Sequence, residues 1–236
     1  MQYLKIMESI NEQIEAGLLT PGSKFPAERK LAEAFDTSRI TLREALSLLE
    51  SDGKVFREDR RGWFVSPSPL SYNPTNTDNF KTMALKAGRE PRSELLSSQL
   101  IPCPRNAAKL LGVEAFTKVF KFERLRFLDE RPVAVTINYV IAEYFPRLEE
   151  KNFIESLTHT YKEDYKVLYS QTRYHIRTSS LQGDIAQALR ATSGSPAMLV
   201  ERVNHDQNGR LIDCDLEYWR HDAINIQSVA TLTQED

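Results

Sequence analysis

Apolar positions recur at three- and four-residue steps near the start of the chain and at two-residue steps in much of the remainder. Tyr3, Ile6, Met7, Ile10 and Ile14 mark one face of a first helix, which Gly17 ends. Pro21-Gly22 makes a turn. A second, short helix opens at Pro26-Ala27-Glu28-Arg29, with an acid in its first turn, and presents Leu31, Ala32 and Phe35 inward. Asp36-Thr37-Ser38 interrupts it, and Ser38 is suited to cap a third helix whose apolar stripe is Leu42, Ala45, Leu46 and Leu49. Arg39 and Arg43 lie one turn apart, away from that stripe. After Gly53 come two β-prone runs, Val55-Phe56-Arg57 and Trp63-Phe64-Val65, joined by Glu58-Asp59-Arg60-Arg61-Gly62.

The pattern then changes. Residues 66–79 hold three prolines among small polar residues and read as linker. Beyond it, strands are predicted at Leu95–Ile101, Lys118–Leu128, Val133–Ile141, Val167–Ile176, Met198–Asp206 and Leu211–His221. Asp129-Glu130-Arg131-Pro132 and Gln207-Asn208-Gly209-Arg210 are hairpin connections. Helices are predicted at Asn79–Lys86, Pro104–Leu111, Asn152–Glu163 and Asp184–Ala191. The expected organisation is an α+β chain of two domains, 1–66 and 80–236, with a linker at 67–79.

Composition narrows the chemistry. With 31 Lys and Arg against 33 Asp and Glu, the 236-residue chain has a formal charge of −2, so any polyanion-binding surface must come from placement. Cys103 and Cys214 are far apart and lack zinc spacing, and His159, His175, His205 and His221 are scattered, so neither a disulfide framework nor a metal site is expected. No cofactor is implied, since no Gly-rich phosphate loop occurs. Glu8, Glu12 and Glu15 exclude a secretory leader and no stretch suits a membrane span, which makes the cytoplasm the expected compartment. Asp213, Asp215 and Glu217 alternate on one strand, more in keeping with a solvated edge than with paired catalytic carboxylates.

A short helix, a turn and a second helix with Arg, Thr and Arg exposed is a helix-turn-helix arrangement, and a following hairpin tipped by Arg60-Arg61-Gly62 would be a wing. Arginine offers a donor fork matched to guanine or phosphate. The same pattern also suits a plain helical bundle, because residues 1–66 carry ten Lys and Arg against eleven Asp and Glu. The stretch Leu18–Phe35, then Ser38-Arg39-Ile40-Thr41-Leu42-Arg43-Glu44-Ala45-Leu46, Leu49–Gly53 and Arg61-Gly62-Trp63-Phe64-Val65, resembles the signature of GntR-family winged-helix regulators. The resemblance places phosphate and base contacts at Arg29, Ser38, Arg39, Thr41, Arg43, Arg61 and Gly62. Ala27 stands where Ser is frequent, Asp36 where a turn Gly is usual, and Trp63 where Thr is common; Asp tolerates positive φ.

Residues from about 80 to 230 are similar to the effector-binding (UTRA) domain of the HutC branch of that family. The cues are Phe80, Gly88-Arg89-Glu90-Pro91, Glu123-Arg124-Leu125-Arg126, Glu130-Arg131-Pro132, Asn138-Tyr139-Val140, Glu155-Ser156-Leu157 and Tyr218-Trp219-Arg220-His221-Asp222, in the family's order. That implies a chorismate-lyase-like antiparallel sheet. Arg124 and Arg126, at i and i+2, share one strand face and require anions there, either internal carboxylates or a bound ligand. The resemblance assigns them, with Ser93 and Ser156, to a phosphate-like group, and places Thr136, Thr158, Asp213 and Trp219 around the rest of the pocket. The implied protein is a DNA-binding transcriptional regulator, a repressor, that binds double-stranded operator DNA as an inverted repeat, forms a homodimer and answers to a small anionic effector such as a phosphorylated sugar or phosphonate. The alternative is a lyase-like enzyme with an accessory helical domain, although no catalytic set stands out.

Overall fold

The computed structural model describes residues 1–76 and 78–229. In chain order its main elements are α1 (Gln2–Glu15), α2 (Glu28–Ala34), α3 (Arg39–Ser51), β1 (Val55–Glu58), β2 (Gly62–Val65), β3 (Leu70–Tyr72), α4 (Phe80–Lys86), β4 (Pro91–Pro102), α5 (Arg105–Leu111), β5 (Lys118–Leu128), β6 (Arg131–Ile141), α6 (Leu157–Tyr165), β7 (Tyr169–Ser180), α7 (Gly183–Ala188), β8 (Pro196–Asp206), β9 (Leu211–Arg220) and β10 (Ile224–Ile226). They sort into two compact units. The first is Met1–Leu70 with Ser180–Pro196 and Arg220–Asn225; the second is Ser71–Ser179, Ala197–Trp219 and, of the described residues, 226–229.

In the first unit the predicted stripe of α3 is the centre of the core. Leu42, Ala45, Leu46 and Leu49 are fully buried against Ile6 and Ile10 of α1, Leu31 and Ala32 of α2, and Val55, Trp63 and Val65 of the hairpin. Asp36 closes the turn between α2 and α3 at φ 46°, as its tolerance of that region predicts. β1 and β2 pair antiparallel, with Glu58 opposite Gly62. Gly62 turns the hairpin at φ 101°, where an L side chain is strained.

Later segments complete this unit. The buried Arg220 guanidinium donates to the carbonyls of Leu189 and Arg57, both at 3.1 Å, and lies over the Phe56 ring. His221 Nε2 is 2.6 Å from the carbonyl oxygen of Glu50 at the end of α3, and Asp59 N–H donates to the Arg190 carbonyl at 2.8 Å. The 67–79 segment, read from composition as linker, contains strand β3, whose Leu70 and Tyr72 are buried and which pairs with β10. Three residues are too short a run for a two-residue period to register, and the partner strand lies at the far end of the chain.

The second unit is built on a six-stranded sheet of order β4-β5-β6-β9-β8-β7, antiparallel across β4, β5, β6 and β9. Side chains alternate, so the same strands serve two cores. One core, with α5, gathers Ala107, Leu111, Val119, Tyr139, Cys214 and Leu216. The other gathers Phe120, Phe122 and Val140 against Phe145, Phe153, Leu157 and Tyr161. The helix expected at Asn152–Glu163 begins only at Leu157, because Ser156 caps it by accepting from His159 N–H at 3.1 Å. The expectation of a solvated edge at Asp213, Asp215 and Glu217 is overturned: β9 lies inside the sheet and all three are buried. Periodicity assigns residues to a face but says nothing of a strand's rank in the sheet. Among the described residues no helix is long and apolar enough to cross a membrane.

Arg220→Ala should remove the donors that satisfy the buried carbonyls of Leu189 and Arg57, at a cost of about 1–3 kcal/mol in unfolding free energy. Faster hydrogen exchange in α3 and β1, measured against wild type, is the expected local signature.

Candidate nucleic-acid interface and ligand cavity

The first unit presents a cluster of cations arranged by one carboxylate. Arg43 Nε donates to Glu28 Oε2 at 2.7 Å, Arg39 NH2 lies 3.6 Å from the same oxygen, and the Trp63 indole N–H donates to Glu28 Oε1 at 3.2 Å. Glu28, first in α2, thus holds two side chains of α3 and one of the hairpin. Burial alone would raise its carboxyl, but the hydrogen bonds from Arg43 and Trp63 outweigh that and hold it below the usual carboxylate range. Ser38 caps α3 by accepting from Thr41 N–H at 3.1 Å, and their hydroxyls are 3.0 Å apart. Arg29 pairs with Glu33 on the exposed face of α2, and Arg61 pairs with the buried Glu58 while lying over the Phe64 ring. The residues predicted to meet DNA are therefore all on one unit, and Arg39, Thr41 and Arg43 share the start of one helix. An exposed N-terminal turn with arginines beside it can meet phosphate and base edges together. Glu28 was legible only as a first-turn acid, since its partners come from two other elements.

In the second unit a cavity of about 500 Å³ opens on the sheet face that carries Arg124 and Arg126. Both guanidinia are buried and turned toward it. Arg124 donates to Asn138 Oδ1 at 2.7 and 3.2 Å and to the carbonyls of Phe153 and Ile154 at 3.2 Å. Arg126 donates to Ser93 Oγ and to the carbonyls of Ile154 and Glu155, and lies over the Phe80 ring. Among the described residues neither has a carboxylate within ion-pair distance. Burial, followed by the neighbouring Arg124 charge, pushes Arg126 well below the usual guanidinium range; burial pulls Arg124 down as well, opposed by Asp215. Internal carboxylates act on the pair without direct ion pairing: Asp215 on Arg124, and Glu217 and Glu155 on Arg126, each oppose the effect of burial.

Thr136, Ser156, Thr158 and Trp219 line the cavity, with Ser156 Oγ 3.3 Å from Asn79 Nδ2. Ser93 does not line it and reaches it only through Arg126. Asp213 is not brought there either: its buried carboxylate accepts from Tyr169 Oη at 2.8 Å and from Asn204 Nδ2 at 2.5 Å. Burial and the nearby Asp215 push its pKa up to about 7. Between the two ends runs a buried polar network absent from the sequence reading. Asn138 Nδ2 donates to Asp215; Arg202 bridges Asp215 at 2.5 Å and Glu217 at 3.2 Å; the Trp219 indole donates to Glu217 at 2.9 Å. Tyr72, Tyr169 and Tyr174 complete the lining, with Trp219 edge-on to Tyr72. The register explains the grouping, since Arg124 opposes Thr136, Thr136 opposes Glu217, and Asn138 opposes Asp215. The two-residue alternation at 213–217 was the available signal for Asp215 and Glu217.

Comparison with known proteins bears on both sites. Residues 2–65 match the family model of bacterial regulatory proteins of the gntR family, and residues 86–225 match the UTRA domain. The chain belongs to the GntR family. It is 30% identical over 220 residues, 93% of each chain, to the uncharacterized HTH-type transcriptional regulator YihL of Escherichia coli strain K12. It is 29% identical over 93% of its length, and 90% of the relative's, to the HTH-type transcriptional repressor NagR of Bacillus subtilis strain 168. The crystal structure of PhnF from Mycobacterium smegmatis has the same fold, with a TM-score of 0.67 at 24% identity over 96% of this chain and 99% of that one. This GntR-family chain is accordingly a DNA-binding transcriptional regulator with a helix-turn-helix and a UTRA domain, and the lyase-like alternative is not favoured.

Two variants test these geometries. Glu28→Gln should loosen Arg39 and Arg43 and lower discrimination between selected and random duplex by about 1–3 kcal/mol. It should also raise binding to random duplex, because a negative charge facing phosphate is gone; titrations on both duplexes check this. Asp213 is raised in the folded state, so between pH 4 and 7 the native chain holds a proton that the unfolded chain has lost, and this carboxyl makes stability fall as pH rises through that window. Asp213→Asn should flatten that slope in urea unfolding measured at a series of pH values.

Proposed function

We propose that the protein is a cytoplasmic, homodimeric repressor that binds an inverted-repeat operator and is controlled by a small anionic effector. The observation that carries the effector reading is the pair of buried guanidinia facing the cavity, neither of which, among the described residues, forms an ion pair with a carboxylate. A phosphate or phosphonate group would give these guanidinia a direct countercharge through charge-assisted hydrogen bonds, and the hydroxyls of Ser156, Thr158 and Thr136, which line the cavity, would complete its oxygen shell. Trp219 and the tyrosines would cover the rest of the molecule, with Ser93 and Asp213 acting from behind the lining. On the DNA side, Arg39, Thr41 and Arg43 read the major groove, Arg29 and Ser38 hold phosphates, and Arg61 with Gly62 reaches the minor groove. Two-fold symmetry of the dimer would be mirrored in the operator.

Effector control requires different affinity for two states, with one matching operator spacing and the other not. The naming of a relative as a repressor supports the sign of regulation.

A thermal-shift screen of phosphorylated sugars, phosphonates and inorganic phosphate tests the proposal. A ligand at a hundredfold excess over its Kd adds about 2.7 kcal/mol to native stability. Arg126→Ala should abolish that shift and the ligand's influence on DNA, while operator affinity without ligand stays near wild type. Turnover of a bound compound would instead support the lyase-like reading, and a monomer in light scattering, with half-sites filled independently, would refute the dimer.

A further inference from the structure

The exposed face of α3 carries an apolar side chain in its first turn that none of the contacts above uses. Ile40 is 80% exposed. At roughly 100° per residue it lies opposite the buried stripe of Leu42, Ala45, Leu46 and Leu49, so it points more directly away from the core than any other residue of the first turn. Arg39 and Arg43 both lean aside to Glu28 on α2, which leaves the front of that turn to Ile40. Further along the same face, Glu44 and Ser47 are exposed and polar.

A helix of this kind enters the major groove with its N-terminal residues nearest the base edges. An isoleucine has no hydrogen-bonding atom to offer there. The groove presents one apolar group on unmodified bases, the C5-methyl of thymine, and an aliphatic side chain meets it by contact alone. We propose that Ile40 is a specificity-determining residue that packs on a thymine methyl in each operator half-site, beside the base contacts of Arg39 and Arg43. This rests on the reading of α3 as the helix that enters the groove.

The test uses the full chain and a duplex that it selects itself from a random library. Each thymine is then replaced singly by deoxyuridine, which removes only the methyl group, and binding is followed by fluorescence anisotropy. One thymine per half-site should be sensitive, with a loss of about three- to fivefold, the size expected for burying one methyl group. Ile40→Ala should weaken binding to the thymine duplex at least as much and be indifferent to uracil at that position. The variant keeps the helix, because the site is exposed and alanine is the strongest helix former. A wild type indifferent to every replacement, a selected duplex with no thymine, or an Ile40→Ala protein that still discriminates thymine from uracil would overturn the proposal. Arg43→Ala separates the two levels of failure. If it destroys selection while the uracil series stays flat, α3 reads DNA and only the role of Ile40 falls; if it leaves selection unchanged, α3 is not the reading helix.

Discussion

Two guanidinium groups buried side by side on one strand, hydrogen-bonded to carbonyl, amide and hydroxyl oxygens and, among the described residues, in no ion pair with a carboxylate, set the electrostatics of the second unit. A charge removed from water is costly unless paired, and a second like charge two residues away adds repulsion. The fold offsets this in part by turning three consecutive backbone carbonyls, of Phe153, Ile154 and Glu155, toward the pair. These residues directly precede Ser156, the cap of α6, so the late start of that helix and the basic end of the cavity have a common origin. Had the helix begun at Asn152, those carbonyls would have been committed to intrahelical hydrogen bonds.

The rest of that sheet face follows from the same need for compensation. Asp215 is shared by Asn138 and Arg202, Arg202 is shared with Glu217, and Glu217 accepts from the Trp219 indole. Asn138, Arg202, Asp215 and Glu217 each have a partner on an adjacent strand, Trp219 has its partner on its own strand, and a network of this kind holds its members in one arrangement. Asp213 sits beyond it, where burial and the neighbouring Asp215 push its carboxyl up, and its tyrosine and asparagine donors offset that shift only in part.

In the first unit the balance is reversed. The arginines that face outward are held at the surface by a single carboxylate, and Glu28 ties α2, α3 and the hairpin together at one point. Such an arrangement keeps flexible cations near one geometry before DNA arrives. Strand β9 belongs to both units along its own length: through Trp219 it carries cavity-lining residues of the second, and with Arg220 it joins the core of the first.

Local signals determined a great deal. The helix stripe of α3, the Ser38 cap, the positive φ at Asp36, the wing glycine and the extent of β5 from Lys118 to Leu128 are all properties of neighbouring residues, and the chain's pattern expresses them directly. The i, i+2 spacing of Arg124 and Arg126 likewise settled that they share a face. What they face was not so determined. That β9 is an interior strand, that Asp215 and Glu217 lie in the cavity while Asp213 lies behind it, and that a proline-rich stretch hides a strand depend on which segments pair across the sheet. Periodicity is blind to this, because it reports the side on which a residue stands and not the neighbour that stands beside it. Glu28 is the sharpest case: its position at the head of α2 was evident, but its function depends on three side chains that only tertiary packing brings to one carboxylate.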